Sequence, residues 1–395
     1  MSLLFYRSKI IIIKMFVYYY MKELEDSNII FAIINSASII GTDSEDEEWT
    51  PIKKPTQEPP KKKRKNIADI KIKNPRPIKT LNELITILEE TASTKITQRK
   101  KKRKKSIEDV GNEREDLLKL IDSLIELRDL VGMDKVKDEL VNQLLLFMQK
   151  MNDPNMFLHT VLTGNPGCGK TSLCNILAKI YKNMGFLSSD KVVVADRSQL
   201  IGQWLGETSI KTKQVLESAK GGILLIDEAY SLGSPGGRDS FSKECIDCIN
   251  QYLSEHAEDF VCIIAGYKND LEKCFFSQNQ GLERRFPWRY HIEQYKPEEL
   301  YKIFNLQVSK DKWKLKVKKE EILSLITKHK LLFNNNGGDT KNLLDKCKIC
   351  HAQRVFGSRK AKKTLNSEDI KNGFEIFENL RSKAIQNEPP MGMYC

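Results

Sequence analysis

Two periodicities alternate along the middle of this chain. Leu117, Leu120, Ile121, Leu124 and Leu127 recur at helical spacing, so a globular pattern opens near Glu115. Beyond them, short apolar runs predict strands at Phe157–Thr163, Lys191–Val194, Gly222–Ile226 and Phe260–Ala265, with a short last one at Arg289–Ile292. Amphipathic stretches between them predict helices at Lys170–Tyr181, Glu207–Ala219 and Phe241–Ser254. Strands apolar on both faces and separated by helices imply a parallel sheet covered on each side, an α/β body. Past Pro297 no strand pattern is evident. Glu298–Val308, Lys318–His329, Thr340–Val355 and Ser367–Lys383 read as helices of a small second domain. The expected division is an apolar segment at 1–40, a mostly disordered linker at 41–114, the α/β domain at 115–296, the helical domain at 297–387 and a tail at 388–395.

Charge changes the picture only at the N-terminal end. The chain has 395 residues and a formal charge of +12. Residues 51–105 hold 19 Lys and Arg against 5 Asp and Glu, or +14, which leaves 12 − 14 = −2 for the rest. The basicity therefore belongs to an extension, not to the folded body. Its composition, acidic, then Pro-rich, then basic, buries too little surface to offset chain entropy, so disorder is expected. Lys61–Lys65 and Arg99–Lys105 resemble nuclear localisation signals and could also meet nucleic acid electrostatically. The expected location is intracellular, in the nucleus if those runs act and in the cytoplasm otherwise. Ile10–Met21 and Ile29–Ile40 are shorter than the ~18 apolar residues of a bilayer span, so no membrane span is expected.

Nine cysteines, an odd number, do not suggest a disulfide framework. Cys245/Cys248 and Cys347/Cys350-His351 form C-x-x-C pairs within predicted helices. They lie about a hundred residues apart, wider than zinc modules use, and read as core cysteines.

The chemistry sits where a strand turns into a helix. Gly164-Asn165-Pro166-Gly167-Cys168-Gly169-Lys170-Thr171 fits G-x-x-x-x-G-K-[ST] in the strand-to-helix setting the motif requires, with Ser172 following. Glycines let backbone N–H groups curl around phosphate oxygens, and the helix N-terminus adds positive potential. Lys170 is expected on the β- and γ-phosphates, and the Thr171 hydroxyl on Mg²⁺. About sixty residues later, Ile223-Leu224-Leu225-Ile226 ends in Asp227-Glu228. Acids at the C-terminal end of an apolar strand face the ligand crevice of an open α/β sheet. Asp227 is expected to hold the Mg²⁺ shell, and Glu228 to polarise the attacking water as general base. The implied ligands are ATP and Mg²⁺.

In order along the chain come Leu130-Val131-Gly132-Met133, the glycine loop, Ile201-Gly202-Gln203-Trp204-Leu205-Gly206-Glu207-Thr208, Leu225-Ile226-Asp227-Glu228-Ala229-Tyr230, Ile264-Ala265-Gly266-Tyr267 and Gly281-Leu282-Glu283-Arg284-Arg285-Phe286-Pro287. Over about residues 115–385 this series resembles the CbbX/CfxQ-type and stage V sporulation protein K-like branch of AAA+ ATPases. The resemblance implies a sheet of order 5-1-4-3-2, a helical lid, hexameric rings and a protein substrate. CbbX-type members are red-type Rubisco activases, which pull on a subunit tail of an inhibited enzyme. Carried over by position, the resemblance puts Val131 and Gly132 by the adenine. It makes Arg285, with Arg284, the arginine finger on a neighbouring subunit's γ-phosphate. Trp204 and Leu205 become the pore loop that grips substrate. Tyr267 or Lys268 stands where many relatives carry the sensor 1 Asn. Lys341 stands where sensor 2 usually has Arg; it keeps the charge toward nucleotide but lacks the bidentate fork. The expected function is a Mg-ATP-dependent motor remodelling protein. The alternative is an AAA+ enzyme acting on nucleic acid, anchored by its basic extension.

Overall fold

The computed structural model describes residues 77–99, 107–149, 151, 156–204, 206–233, 239–256, 258–357 and 363–386. All of them fall in one compact unit, Lys63–Cys395. The apolar segment 1–40, most of the linker, the tail and the basic runs apart from Arg99 lie outside the described residues.

Helix α1 (Leu81–Arg99) falls inside the stretch expected to be disordered linker, and it corrects that expectation for those residues. Leu81, Leu84, Ile85, Leu88 and Ala92 line one side of it and are buried with Leu117, Leu120, Leu124 and Leu127 of α2 (Ile107–Asp129). The start of α1 is a capping box. The Thr80 hydroxyl accepts the Glu83 amide, and the Glu83 carboxylate accepts the amides of Lys79 and Thr80. A stripe this regular supplies the burial that the surrounding Lys and Pro residues lack.

After α3 (Asp134–Met148) the chain alternates. The elements are β1 (Thr160–Gly164), α4 (Lys170–Asn183), β2 (Val192–Ala195), α5 (Arg197–Leu200), α6 (Glu207–Ser218), β3 (Ile223–Ile226), α7 (Ser240–Glu255), β4 (Val261–Gly266), α8 (Leu282–Arg285) and β5 (Trp288–Ile292). The five strands pair in parallel in the order β2-β3-β4-β1-β5. This is the expected 5-1-4-3-2 sheet read from the other edge. Successive residues of a strand face opposite sides. Ile223 and Leu225 accordingly join one apolar cluster, with α1 to α4, while Leu224 and Ile226 join the other, with α6 and α7. With both faces covered, β3 and β4 are buried along their whole length.

The C-terminal part comprises α9 (Pro297–Lys310), β6 (Lys314–Leu315), α10 (Lys319–Lys328), α11 (Gly337–Arg354), β7 (Thr364–Leu365) and α12 (Ser367–Gln386). The β6–β7 pair is parallel and corrects the strandless reading, since two residues per strand are too few to show a period. Cys347 and Cys350 are buried on α11, and Cys245 and Cys248 on α7, all free thiols as core cysteines should be. Among the described residues no group of three His, Cys, Asp or Glu could hold a metal ion. No described helix is long and apolar enough to cross a membrane.

Candidate functional site

β1 ends in the glycine loop, and the loop ends in α4. Gly167 and Gly169 have φ of 67° and 89°, in the left-handed region that a side chain disfavours. At Gly167 the space is closed as well, because a Cβ there would collide with the Asn335 carbonyl. The Lys170 ammonium arches back over the loop and donates to the carbonyls of Gly164 and Asn165, both at 3.1 Å. Cys168 is buried beneath the loop, and burial pushes its thiol pKa up.

The acidic pair leaves the end of β3. The Asp227 amide donates to Ala195 across the sheet at 3.0 Å, and the Glu228 amide donates to the Asp227 carboxylate at 3.0 Å. Glu228 has φ 50° and ψ 42°, a left-handed conformation costing an ordinary residue ~1 kcal/mol or more. Such strain clusters at functional sites. Beside it, the Tyr230 and Tyr267 rings lie 5.8 Å apart. Burial, then the neighbouring Glu228 charge, raises the Tyr230 hydroxyl pKa.

These groups open onto one cavity of about 570 Å³. At its polar end are Gly164, Pro166, Gly167, Gly169, Lys170, Thr171 and Ser172, with Asp227 and Glu228. Leu130 and Val131, from the α2–α3 connection, and Ile303 and Leu306 of α9 make an apolar part suited to a base. Gln307, Lys310, Gly337 and Gly338 complete it from the helical side.

Other expected residues lie elsewhere. Asn165 and Gly132 do not line the cavity, and Gly132 packs so that a Cβ would lie 2.7 Å from the Tyr295 ring. Lys341 is not in the lining either. Its ammonium pairs with Asp311 at 2.5 Å and Asp345 at 3.7 Å. Together with Lys348 it holds the Asp311 carboxyl down to about 2. Arg284, exposed, and Arg285, half-buried, sit on α8 away from the lining. Trp204 is 71% exposed in the turn before α6, and Leu205 lies outside the described residues.

The sequence reading passed over a clasp between the glycine loop and the helical part. Asn336 is fully buried, with φ 48° and ψ −114°. Its carboxamide accepts the Tyr295 amide at 3.3 Å and donates to the Pro166 carbonyl at 3.3 Å. The Gly337 amide donates to the Gly167 carbonyl at 3.0 Å, and the Tyr295 hydroxyl to the Cys168 carbonyl at 2.7 Å. The only local hint was Asn334-Asn335-Asn336-Gly337-Gly338, which reads as a loop and names no partner.

The family model described as "ATPase family associated with various cellular activities (AAA)" matches residues 160–280, from β1 to just before α8. A cfxQ-like protein of Acanthamoeba polyphaga mimivirus is 40% identical over 288 residues, covering 71% of this chain and 70% of that protein. The chloroplastic ribulose bisphosphate carboxylase/oxygenase activase of Cyanidioschyzon merolae is 31% identical, covering 62% of this chain and 88% of its own length. The CfxQ homologue of Cyanidium caldarium is 32% identical, covering 58% and 84%. With a glycine loop, an acidic strand end and a parallel sheet of this order converging on one nucleotide-sized cavity, the chain belongs to the CfxQ/CbxX family of AAA ATPases and is a nucleotide-binding ATP hydrolase.

Proposed function

We propose that this ATPase is a Mg-ATP-driven ring, a homo-hexamer, that threads or tugs a protein substrate past a pore loop carrying Trp204. In this reading residues 115–296 form the ATPase domain and 297–387 its lid. The observation that carries the proposal is the convergence of Lys170, Thr171, Asp227 and Glu228 on one cavity. Lys170 neutralises phosphate charge. The Thr171 hydroxyl and Asp227 carboxylate are hard oxygen donors, and with phosphate oxygens they fit Mg²⁺, which takes few protein ligands. When bound, Mg²⁺ neutralises the charge that develops on the phosphates. Glu228 orients the water and takes its proton. Arg285, with Arg284, reaches the neighbouring subunit's γ-phosphate, which agrees with their position outside this chain's own cavity.

Trp204 supports the substrate class. The Glu207 carboxylate at the start of α6 accepts the amides of Gln203 and Trp204 at 3.2 Å each, so a helix end anchors an indole left in solvent. An exposed aromatic grips by burying apolar area on a passing chain. The relative named as an activase of another enzyme also favours a protein substrate. The nucleic-acid alternative rested on basic runs that, Arg99 aside, lie outside the described residues, and no described feature favours it.

The test is a trap. Glu228→Gln is expected to bind ATP normally, to slow hydrolysis ~10²-fold or more, and to hold its substrate for identification. Unchanged turnover in that variant refutes the assignment of Glu228, and recovery of nucleic acid in place of protein refutes the substrate class.

A further inference from the structure

Arg285 is held in place by its own chain. Its Nε and Nη2 both donate to the Ser254 hydroxyl, at 2.8 and 2.6 Å, and its Nη1 donates to the Gly281 carbonyl at 2.7 Å. Ser254 in turn donates its hydroxyl proton to the Asn250 carbonyl of α7 at 3.0 Å. A serine hydroxyl has one donor and two acceptor lone pairs, and here all three are used. The proton is committed to α7, so both lone pairs face the edge of the guanidinium. Neither a carboxylate nor an alanine reproduces this, because neither can donate to Asn250 while accepting from arginine. The ground beneath is rigid. Leu282 and Phe286 on either side of the two arginines are buried, and Phe286 stands edge-on to Phe275 and Phe276.

The arrangement brings little to the stability of this chain. Ser254 is exposed, Arg285 is half-buried, and a long side chain gives up its rotamer freedom to make these bonds. Its consequence is geometric. A guanidinium carries five N–H groups. Three are spent on Ser254 and Gly281, leaving one on each terminal nitrogen of a fork fixed in direction. Two terminal N–H groups are what a phosphate oxygen pair needs.

We propose that Ser254 is the positioning residue for Arg285, aiming the fork at the nucleotide of the neighbouring subunit. This rests on the arginine-finger reading given above. Ser254 touches no nucleotide of its own site, so its effect belongs in turnover and not in ATP affinity.

The experiment is steady-state ATP hydrolysis by the full chain and four variants: Ser254→Ala, Ser254→Thr, Arg285→Ala and the Ser254→Ala/Arg285→Ala pair. Ser254→Ala is expected to lower kcat about 10-fold with KM for ATP unchanged, on the scale of a misaimed catalytic group. Ser254→Thr, which keeps the hydroxyl, restores kcat. The double variant falls no further than Arg285→Ala alone, since Ser254 acts through that side chain. Ser254→Ala with kcat within about twofold of the parent, while Arg285→Ala is crippled, overturns the positioning role and leaves the finger standing. A rise in KM at constant kcat, or no rescue by threonine, overturns it too. Normal turnover in Arg285→Ala instead brings down the finger reading itself.

Discussion

Removing the Asn336 carboxamide should loosen the grip of the helical part on the glycine loop. In Asn336→Ala the buried Tyr295 amide loses its acceptor and the Pro166 carbonyl a donor, both bonds of 3.3 Å. An abandoned buried polar group costs about 1–3 kcal/mol; the Tyr295 amide is such a group, whereas Pro166 is exposed and its carbonyl takes up water, so the loss is ~1–2 kcal/mol. Backbone adds little to it, because φ 48° with ψ −114° lies outside the left-handed helical well that favours asparagine, so asparagine and alanine are strained there alike. A loss of ~1–2 kcal/mol raises the open population of the clasp about 5- to 30-fold, at ~1.4 kcal/mol per factor of ten. The reporter is the Gly337 amide, which donates to Gly167 within the clasp and exchanges with solvent only when it opens. Hydrogen exchange at that amide should accelerate by this factor in Asn336→Ala, and ADP affinity should weaken in the same direction. Asn336→Gly loses the same side-chain bonds but relieves the backbone strain, so it should fall between the parent and Asn336→Ala. Exchange in Asn336→Ala within about threefold of the parent would refute the reasoning.

Lys341→Ala should leave ATP and ADP affinity unchanged, because Asp311 and Asp345 hold the ammonium outside the cavity lining; a clear loss of affinity in equilibrium titration would show that it turns inward. Trp204→Ala should keep basal ATPase activity while losing work on a trapped protein partner, and equal loss of both would place the indole in the nucleotide chemistry instead. Burial holds the His159 imidazole down to about 3 from an ordinary 6.5, while the Cys262 amide donates to its Nδ1. The unfolded chain therefore takes up a proton between those values that the fold refuses, so stability is full above 6.5 and falls as pH drops toward 3. Down to about pH 4.5 the loss amounts to ~2–3 kcal/mol. Urea titrations at both ends of that range should show His159→Gln losing less than the parent on acidification, and equal losses would refute the assignment.

The features legible in the sequence share a physical basis. β3 and β4 could be read because both their faces are covered, so Ile223–Ile226 and Val261–Gly266 hold almost nothing but apolar side chains. The glycine loop could be read because left-handed backbone at Gly167 and Gly169 restricts the residue type. Composition failed at α1. Averaged over its Lys- and Pro-rich surroundings, the stripe from Leu81 to Ala92 looked like linker, although the Thr80–Glu83 capping box marked its start. β1 was expected from Phe157 but pairs only from Thr160, because the Phe157 carbonyl accepts the Trp288 indole N–H instead of joining the ladder.

The clasp failed for a different reason, and that reason sets a limit on reading sites from sequence. Three of its four hydrogen bonds end on main-chain carbonyls at Pro166, Gly167 and Cys168, and the fourth starts from the Tyr295 amide. Every residue carries a carbonyl, so partners of this kind leave no mark on side-chain identity. Asn336 itself leaves no mark either, because φ 48° with ψ −114° lies outside the left-handed helical well that asparagine favours. It stands in a run of three asparagines before two glycines, and that reads as an ordinary loop until Pro166 is seen to lie against it. Lys341 shows the converse. Its charge and place after Gly337-Gly338 suggested nucleotide, yet the carboxylates that hold it come from one turn along α11 and from just beyond α9. A motif records what a residue can bind, and the surrounding charges decide what it does bind.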